Sequence, residues 1–212
     1  PFWIEHSVDN EDGGFMFCLD RDGSIIDTDK SVWLNCRFIW TLSTLYNTVE
    51  KKSQWLNLAA YGVDFVEKHC FDSDGRMFFQ VTKEGKGLRK RRYVFSEFFA
   101  VLGYSAYAKA SGCEKTAQRA KEIFNFIIKY LNTPGLLEPK LITSTRNYIG
   151  LSIPMMMICT CQELKNLFND NYYERYIDQA IDTILKKNLN NKYKCIQANL
   201  DPDGRLIDNN NG

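Results

Sequence analysis

The sequence predicts an all-α fold with short β-hairpins, in which helices come in pairs of unlike character. Six helix-length runs span roughly 30–49, 53–70, 93–111, 114–132, 150–168 and 171–188. The first, third and fifth are strongly apolar, whereas the others carry charged faces such as Lys115, Arg119 and Glu122. An inner and an outer layer of helices require that alternation. Asp-Gly turns beside strand-like runs recur at Asp12-Gly13-Gly14-Phe15, Asp74-Gly75-Arg76-Met77 and Asp203-Gly204-Arg205-Leu206. The unit is a hairpin followed by two helices, and such a period sets the architecture. Three pairs cannot close a ring, whereas six inner and six outer helices would. Residues 1–212 are therefore expected to be the N-terminal half of one toroidal domain, the rest being absent from this sequence. An open helical array is the alternative.

Taken in order, the first hairpin runs from Gly14 to Ile26 and turns at Asp22-Gly23. Asp29 is the expected N-cap of the first long helix and Ser53 that of the second. The second hairpin runs from Met77 to Arg92 with its turn near Glu84-Gly85. Gly112 is placed to end the third helix in the left-handed conformation. Pro154 falls in the first turns of the fifth, where its missing N–H costs least.

Composition narrows the function classes. With 27 basic and 26 acidic side chains, the chain lacks the basic excess that nucleic acid or an anionic membrane rewards. No run of about twenty apolar residues offers a membrane span. The start, Pro1-Phe2-Trp3, lacks the layout of a signal peptide. A cytoplasmic protein is expected. Seven cysteines at irregular spacings read as reduced thiols, and Cys36, Cys159 and Cys161 as small hydrophobes. Two histidines, His6 and His69, are too few for a histidine-rich metal site; no metal is expected.

The most informative stretch is Lys30-Ser31-Val32-Trp33-Leu34-Asn35-Cys36-Arg37-Phe38-Ile39-Trp40. Arg37 sits in an apolar helical run without an acidic residue within one turn. Helical spacing puts Trp33, Arg37, Trp40 and Thr44 on one face. Burial of an unpaired guanidinium is costly, so Arg37 is expected to line a polar cavity. Trp33 and Trp40 would stack on a sugar ring or belong to the core. Glu97, between apolar neighbours, would hold a hydroxyl of a bound ligand, orient Arg37, or form a buried arginine–glutamate pair. The run Lys86-Gly87-Leu88-Arg89-Lys90-Arg91-Arg92 reads as a solvated strand edge. The Lys140–Arg146 loop, with Thr143, Ser144 and Thr145, leads into a helix and suits an anion.

Phe2-Trp3, Asp12-Gly13-Gly14-Phe15, Lys30 through Arg37, Phe95-Ser96-Glu97-Phe98-Phe99 and Ile153-Pro154-Met155-Met156-Met157 occur in an order and at gaps that resemble the N-acylglucosamine 2-epimerase family. The resemblance implies an (α/α)6 barrel about twice this length that interconverts N-acetylglucosamine and N-acetylmannosamine. It also implies a homodimer on which ATP acts as an effector and is not consumed. A catalytic role for Arg37 is carried over, as is an ATP-responsive loop at Lys140, Thr145 and Arg146, with Trp33, Trp40 and Glu97 on the substrate side. The family's acid/base histidines lie in its C-terminal half, and neither His6 nor His69 matches their context. Relatives acting on unacylated sugars carry a histidine where this chain reads Pro154-Met155-Met156-Met157. Rival expectations are an (α/α)6 glycoside hydrolase using carboxylates among Asp12, Asp74 and Glu97, a cellobiose 2-epimerase or mannose isomerase, and a non-catalytic binding protein.

Overall fold

The structure is a computed structural model, which describes residues 2–142, 144, 145, 147–205 and 207. The chain divides into two compact units, residues 1–137 and 138–212.

The first unit opens with a short helix, α1 (Phe2–His6), and a hairpin of β1 (Cys18–Leu19) and β2 (Ile25–Asp27). Then come β3 (Lys30–Ser31), α2 (Val32–Thr48), α3 (Ser53–His69), the hairpin of β4 (Gln80–Val81) and β5 (Gly87–Arg89), α4 (Phe95–Ser111) and α5 (Glu114–Asn132). The caps differ from expectation. Lys30 and Ser31 pair with β4 as a strand, so α2 begins only at Val32, and Ser31 rather than Asp29 accepts from the Leu34 N–H. Ser53 already lies inside α3, whose N-cap is Lys52. Gly112 ends α4 at φ +71°, its N–H donating to the Ala108 carbonyl.

Helix α4 lies deepest, buried along nearly its whole length, and packs against both α2 and α5. Helix α2 turns Val32, Cys36, Ile39 and Leu42 inward and leaves Leu34, Arg37, Thr41 and Thr48 in solvent. Helices α3 and α5 bury only one stripe each, as outer helices do. Strand β3 enters α2 and pairs antiparallel with β4, which follows α3. The ladder thus returns the α2–α3 pair to the end where it began. Gly14 (φ +69°) fits where a Cβ would meet the Phe65 ring and Asn35 Oδ1. Asn35 uses that closeness: Oδ1 accepts from the Phe15 N–H at 2.9 Å and Nδ2 donates to the Phe15 carbonyl at 3.1 Å.

The second unit holds β6 (Ile149–Gly150), α6 (Ser152–Phe168), a 3-10 turn (Asn171–Tyr173) and α7 (Glu174–Thr183). A π-turn (Ile184–Asn188), β7 (Leu189–Asn190), β8 (Cys195–Ile196) and β9 (Asn199–Leu200) follow. The device of the first unit recurs, since β6 enters α6 and pairs with β9 beyond α7. Pro154 is the third residue of α6, within its first turn. Among the described residues no helix is long and apolar enough to cross a membrane.

Candidate functional site

Three of the residues predicted to act on substrate, Trp33, Arg37 and Glu97, converge on the first turns of α4. The Trp33 indole N–H donates to Ser96 Oγ at 2.9 Å. The Trp33 ring packs against Phe79, Phe95 and Phe99 at centroid distances of 4.9, 5.8 and 5.4 Å. One turn along α2, the Arg37 guanidinium lies over the Phe99 ring, Cζ to centroid 4.2 Å. Two residues expected to share a helix face therefore share one aromatic platform. Trp40 is half-buried one turn further on.

Arg37 is exposed, so the desolvation cost that suggested a polar cavity does not arise. Among the described residues no carboxylate pairs with it. It borders a cleft of about 370 Å³ with Trp3, Phe17, Leu34, Phe38 and Thr41. That wall is mostly apolar, a correction to the polar cavity expected from sequence. A guanidinium held on a ring face and facing water keeps its donors available for an anionic oxygen.

Glu97 is enclosed, with 1% of its surface exposed. Its Oε1 accepts from Arg76 Nε at 2.7 Å and from the Met77 N–H at 3.0 Å. The carboxylate neither opens to a sugar hydroxyl nor orients Arg37 directly; of the readings left open it takes the buried ion pair, with Arg76 as partner. Arg76 Nη2 donates to the carbonyls of Arg91 and Tyr93 at 3.1 and 3.0 Å. Arg91 in turn stacks on Phe79, Cζ to centroid 4.1 Å, and Lys90 bridges Asp72 and Asp74 at 2.7 Å each. Within the basic run, Gly87–Arg89 forms β5, an exposed edge strand as expected, while Lys90 and Arg91 are engaged.

A second buried pair was not foreseen. Lys30 is fully enclosed; its Nζ donates to Asp9 Oδ2 at 2.7 Å and to the carbonyls of Gly13 and Lys83, and lies over the Phe65 ring. Burial raises the Asp9 pKa, but the Lys30 hydrogen bond and the backbone N–H of Glu11 outweigh it and hold the carboxyl below its usual value. Asp9, Glu11 and Asp12 offer carboxylate atoms within 4.8 Å of one another. Lysines already serve them, Lys30 at Asp9 and Lys83 at Glu11 and Asp12.

Each histidine covers a hairpin glycine. His6 lies against Gly23 and His69 against Gly85, and His69 also packs on Phe65 at 5.1 Å. Tyr104 and Arg119 both bind Glu67 in a larger cleft of about 680 Å³ that holds none of the predicted site residues. In the second unit, Thr145 is exposed and bonds the Ile142 carbonyl through its Oγ1, and Lys140 Nζ lies 5.8 Å from the Tyr148 ring. Arg146 and Thr143 fall outside the described residues.

Residues 13–205 match the model of the N-acylglucosamine 2-epimerase (GlcNAc 2-epimerase) family. The chain is 28% identical to the N-acylglucosamine 2-epimerase of Mus musculus over 214 residues, which cover 97% of this chain and 51% of that protein. It is 30% identical to the Homo sapiens N-acylglucosamine 2-epimerase over 169 residues, 77% of this chain and 39% of that protein. Among solved structures, cellobiose 2-epimerase from Bacillus thermoamylovorans superposes with a TM-score of 0.87 at 20% identity, covering 98% of this chain and 57% of that one. A D-mannose isomerase does so with a TM-score of 0.80 at 16% identity, covering 97% and 54%. Both are (α/α)6 barrels, and the chain spans about half the length of the proteins it matches. By its matched residues and its fold, the chain belongs to the N-acylglucosamine 2-epimerase family.

Proposed function

We propose that this chain carries the arginine side of a sugar 2-epimerase site that interconverts N-acetylglucosamine and N-acetylmannosamine. Inversion at C2 requires the open-chain sugar, in which C2–H lies next to an aldehyde. A base removes that proton, an enolate forms with negative charge on O1 while C2 keeps its acylamino group, and an acid returns a proton to the opposite face. A fixed cation near O1 stabilises the transition state more than the ground state. The observation that carries the reading is Arg37: exposed, held on Phe99, without a carboxylate partner among the described residues, and bordering a cleft. Trp33 and Trp40 are read as the sugar-facing aromatics of the same helix. The absence of histidine from Met155-Met156-Met157 supports an N-acyl substrate. His6 and His69 are engaged at the hairpins and are given no acid or base role; the family resemblance assigns those groups to the other half of a barrel of which residues 1–212 form one half. The remaining parts of the reading are a cytoplasmic homodimer, no consumed cofactor, and ATP as an effector at the Lys140–Arg146 loop.

The test is exchange of the C2 proton of N-acetylmannosamine for deuterium in heavy water, followed by proton NMR on the intact native protein. Exchange accompanied by N-acetylglucosamine supports the proposal. Exchange with cellobiose or mannose but not with the N-acyl sugar moves the substrate to another branch, and no exchange with any of them removes it.

A further inference from the structure

We propose that Arg76 and Glu97 are positioning residues for the face that presents Trp33 and Arg37, an inference that rests on the epimerase reading of that face. The chain of contacts is continuous. Phe99 supports Arg37 and Ser96 holds the Trp33 indole, and both belong to the opening turns of α4. The α4 N-cap, Val94, offers no side-chain oxygen to the first N–H groups. Glu97, third in the helix, does not fold back to close a capping box; its Oε1 reaches across to Arg76 and the Met77 N–H. Arg76 then fastens the carbonyls of Arg91 and Tyr93, the segment that enters α4. Tyr93 packs on Trp33 at 6.1 Å and on Phe95 at 5.0 Å. The pair is thus the pin that fixes the azimuth of the α4 opening against the β4–β5 hairpin.

The arrangement costs something that packing alone would not require. Glu97 Oε2 is buried without a hydrogen-bond partner, and an apolar pair of similar volume would avoid that cost. What an apolar pair lacks is direction: a carboxylate accepting from two fixed donors sets an orientation as well as a distance. Angular precision is what a site needs when small misplacements cost rate.

The experiment uses protein labelled with 5-fluorotryptophan. It has four 19F resonances, from Trp3, Trp33, Trp40 and Trp55, assigned by single Trp→Phe variants. In Glu97→Gln, which keeps the size and one acceptor, the Trp33 resonance should move or broaden while Trp55 on α3 stays in place. Over the same change kcat for epimerisation should fall roughly ten- to a hundredfold with KM nearly unchanged, the pattern of lost transition-state alignment. Arg76→Lys keeps the charge but not the fork, and should give a smaller shift of the same resonance. An unmoved Trp33 resonance in both variants overturns the proposal. So does joint movement of Trp33 and Trp55 with a lowered Tm, which marks a merely structural pair. If the wild type shows no turnover, the epimerase reading fails by itself, and the selectivity of the 19F shift alone decides whether the pair positions Trp33.

Discussion

Arg37 and Lys30 show how the same kind of charge takes opposite roles through its surroundings. Lys30 is sealed between Asp9 and two carbonyls and is spent on structure. Arg37 is left in solvent on a ring face, with its donors uncommitted among the described residues. If Arg37 stabilises the enolate, its loss should cost about a hundred- to a thousandfold in C2 deuterium exchange. Arg37→Lys should recover little of that, because one ammonium does not reproduce the planar fork. Exchange within about threefold of wild type in both variants would sink the assignment. The cysteines allow a sharper residue-scale expectation. Burial pushes the thiols of Cys36 and Cys70 well up and that of Cys161 to about 12. Cys113, at the N-cap of α5, accepts from Thr116 Oγ1 and sits below the usual thiol range. Thiolate is the reactive form, so a lowered pKa moves the rise of the rate to lower pH. Iodoacetamide at neutral pH should therefore modify Cys113 well before Cys36, Cys70 or Cys161, with a rate that climbs below pH 8.5 or so. Peptide mapping that finds Cys36 modified first would contradict the burial argument.

At the scale of elements, the hairpins lock onto the helices by paired charges and by glycines under histidines. Asp9→Asn removes the partner of a fully buried ammonium and should destabilise by about 3–5 kcal/mol in chemical denaturation. The same pair predicts the sign of an acid effect. The folded Asp9 pKa is depressed, so its contribution is fully present above the unfolded value near 3.8 and fades as pH falls through the folded one. Asp9→Asn should therefore lose less stability than wild type between pH 5 and pH 3, to a first approximation. Gly85 has φ +89°, and a Cβ there would lie 2.4 Å from the His69 ring. Gly85→Ala should cost about 1–2 kcal/mol from the backbone alone, read as a lower Tm. Much of this layer was legible beforehand. All six long helices were visible because apolar periodicity is a local signal, and both hairpin turns because an acidic residue followed by glycine, Asp22-Gly23 and Glu84-Gly85, is one. Helix α1 was missed because five residues carry no period. The ion pairs were missed for another reason: Lys30 lies 21 residues from Asp9 and Arg76 lies 21 from Glu97. No local window joins such partners, and a lone Lys30 at a helix start reads like any surface lysine. Arg37 was legible because its oddity is local, whereas its Phe99 support, contributed by α4, was not.

At the scale of the whole chain, an exposed stretch of sequence connects the two compact units. From Asn132 to Asn147 the described residues are exposed or half-buried. Exposed connecting segments are the preferred sites of proteolytic nicking. Trypsin at low dose should make its first cut between Lys140 and Arg146, leaving fragments that correspond to the two units. Lysines on helices, such as Lys115 on α5, should be cut later, because cleavage there requires a helix to open. The same reaction tests the effector reading. An anion seated among Lys140, Thr145 and Arg146 gains from their charge and hydroxyl groups only when the loop is held, so ATP should slow the first cut and leave the Lys115 cut unchanged. Binding that favours the closed loop protects by the ratio of nucleotide concentration to its dissociation constant, so ATP at a hundred times that constant should slow opening about a hundredfold. Magnesium-free inorganic triphosphate separates phosphate recognition from adenine recognition, since equal protection by both assigns the site to the phosphates. A first cut inside α5 or α6 would show that the stretch is held more firmly than its exposure implies, and unchanged kinetics with ATP would remove the loop as an effector site.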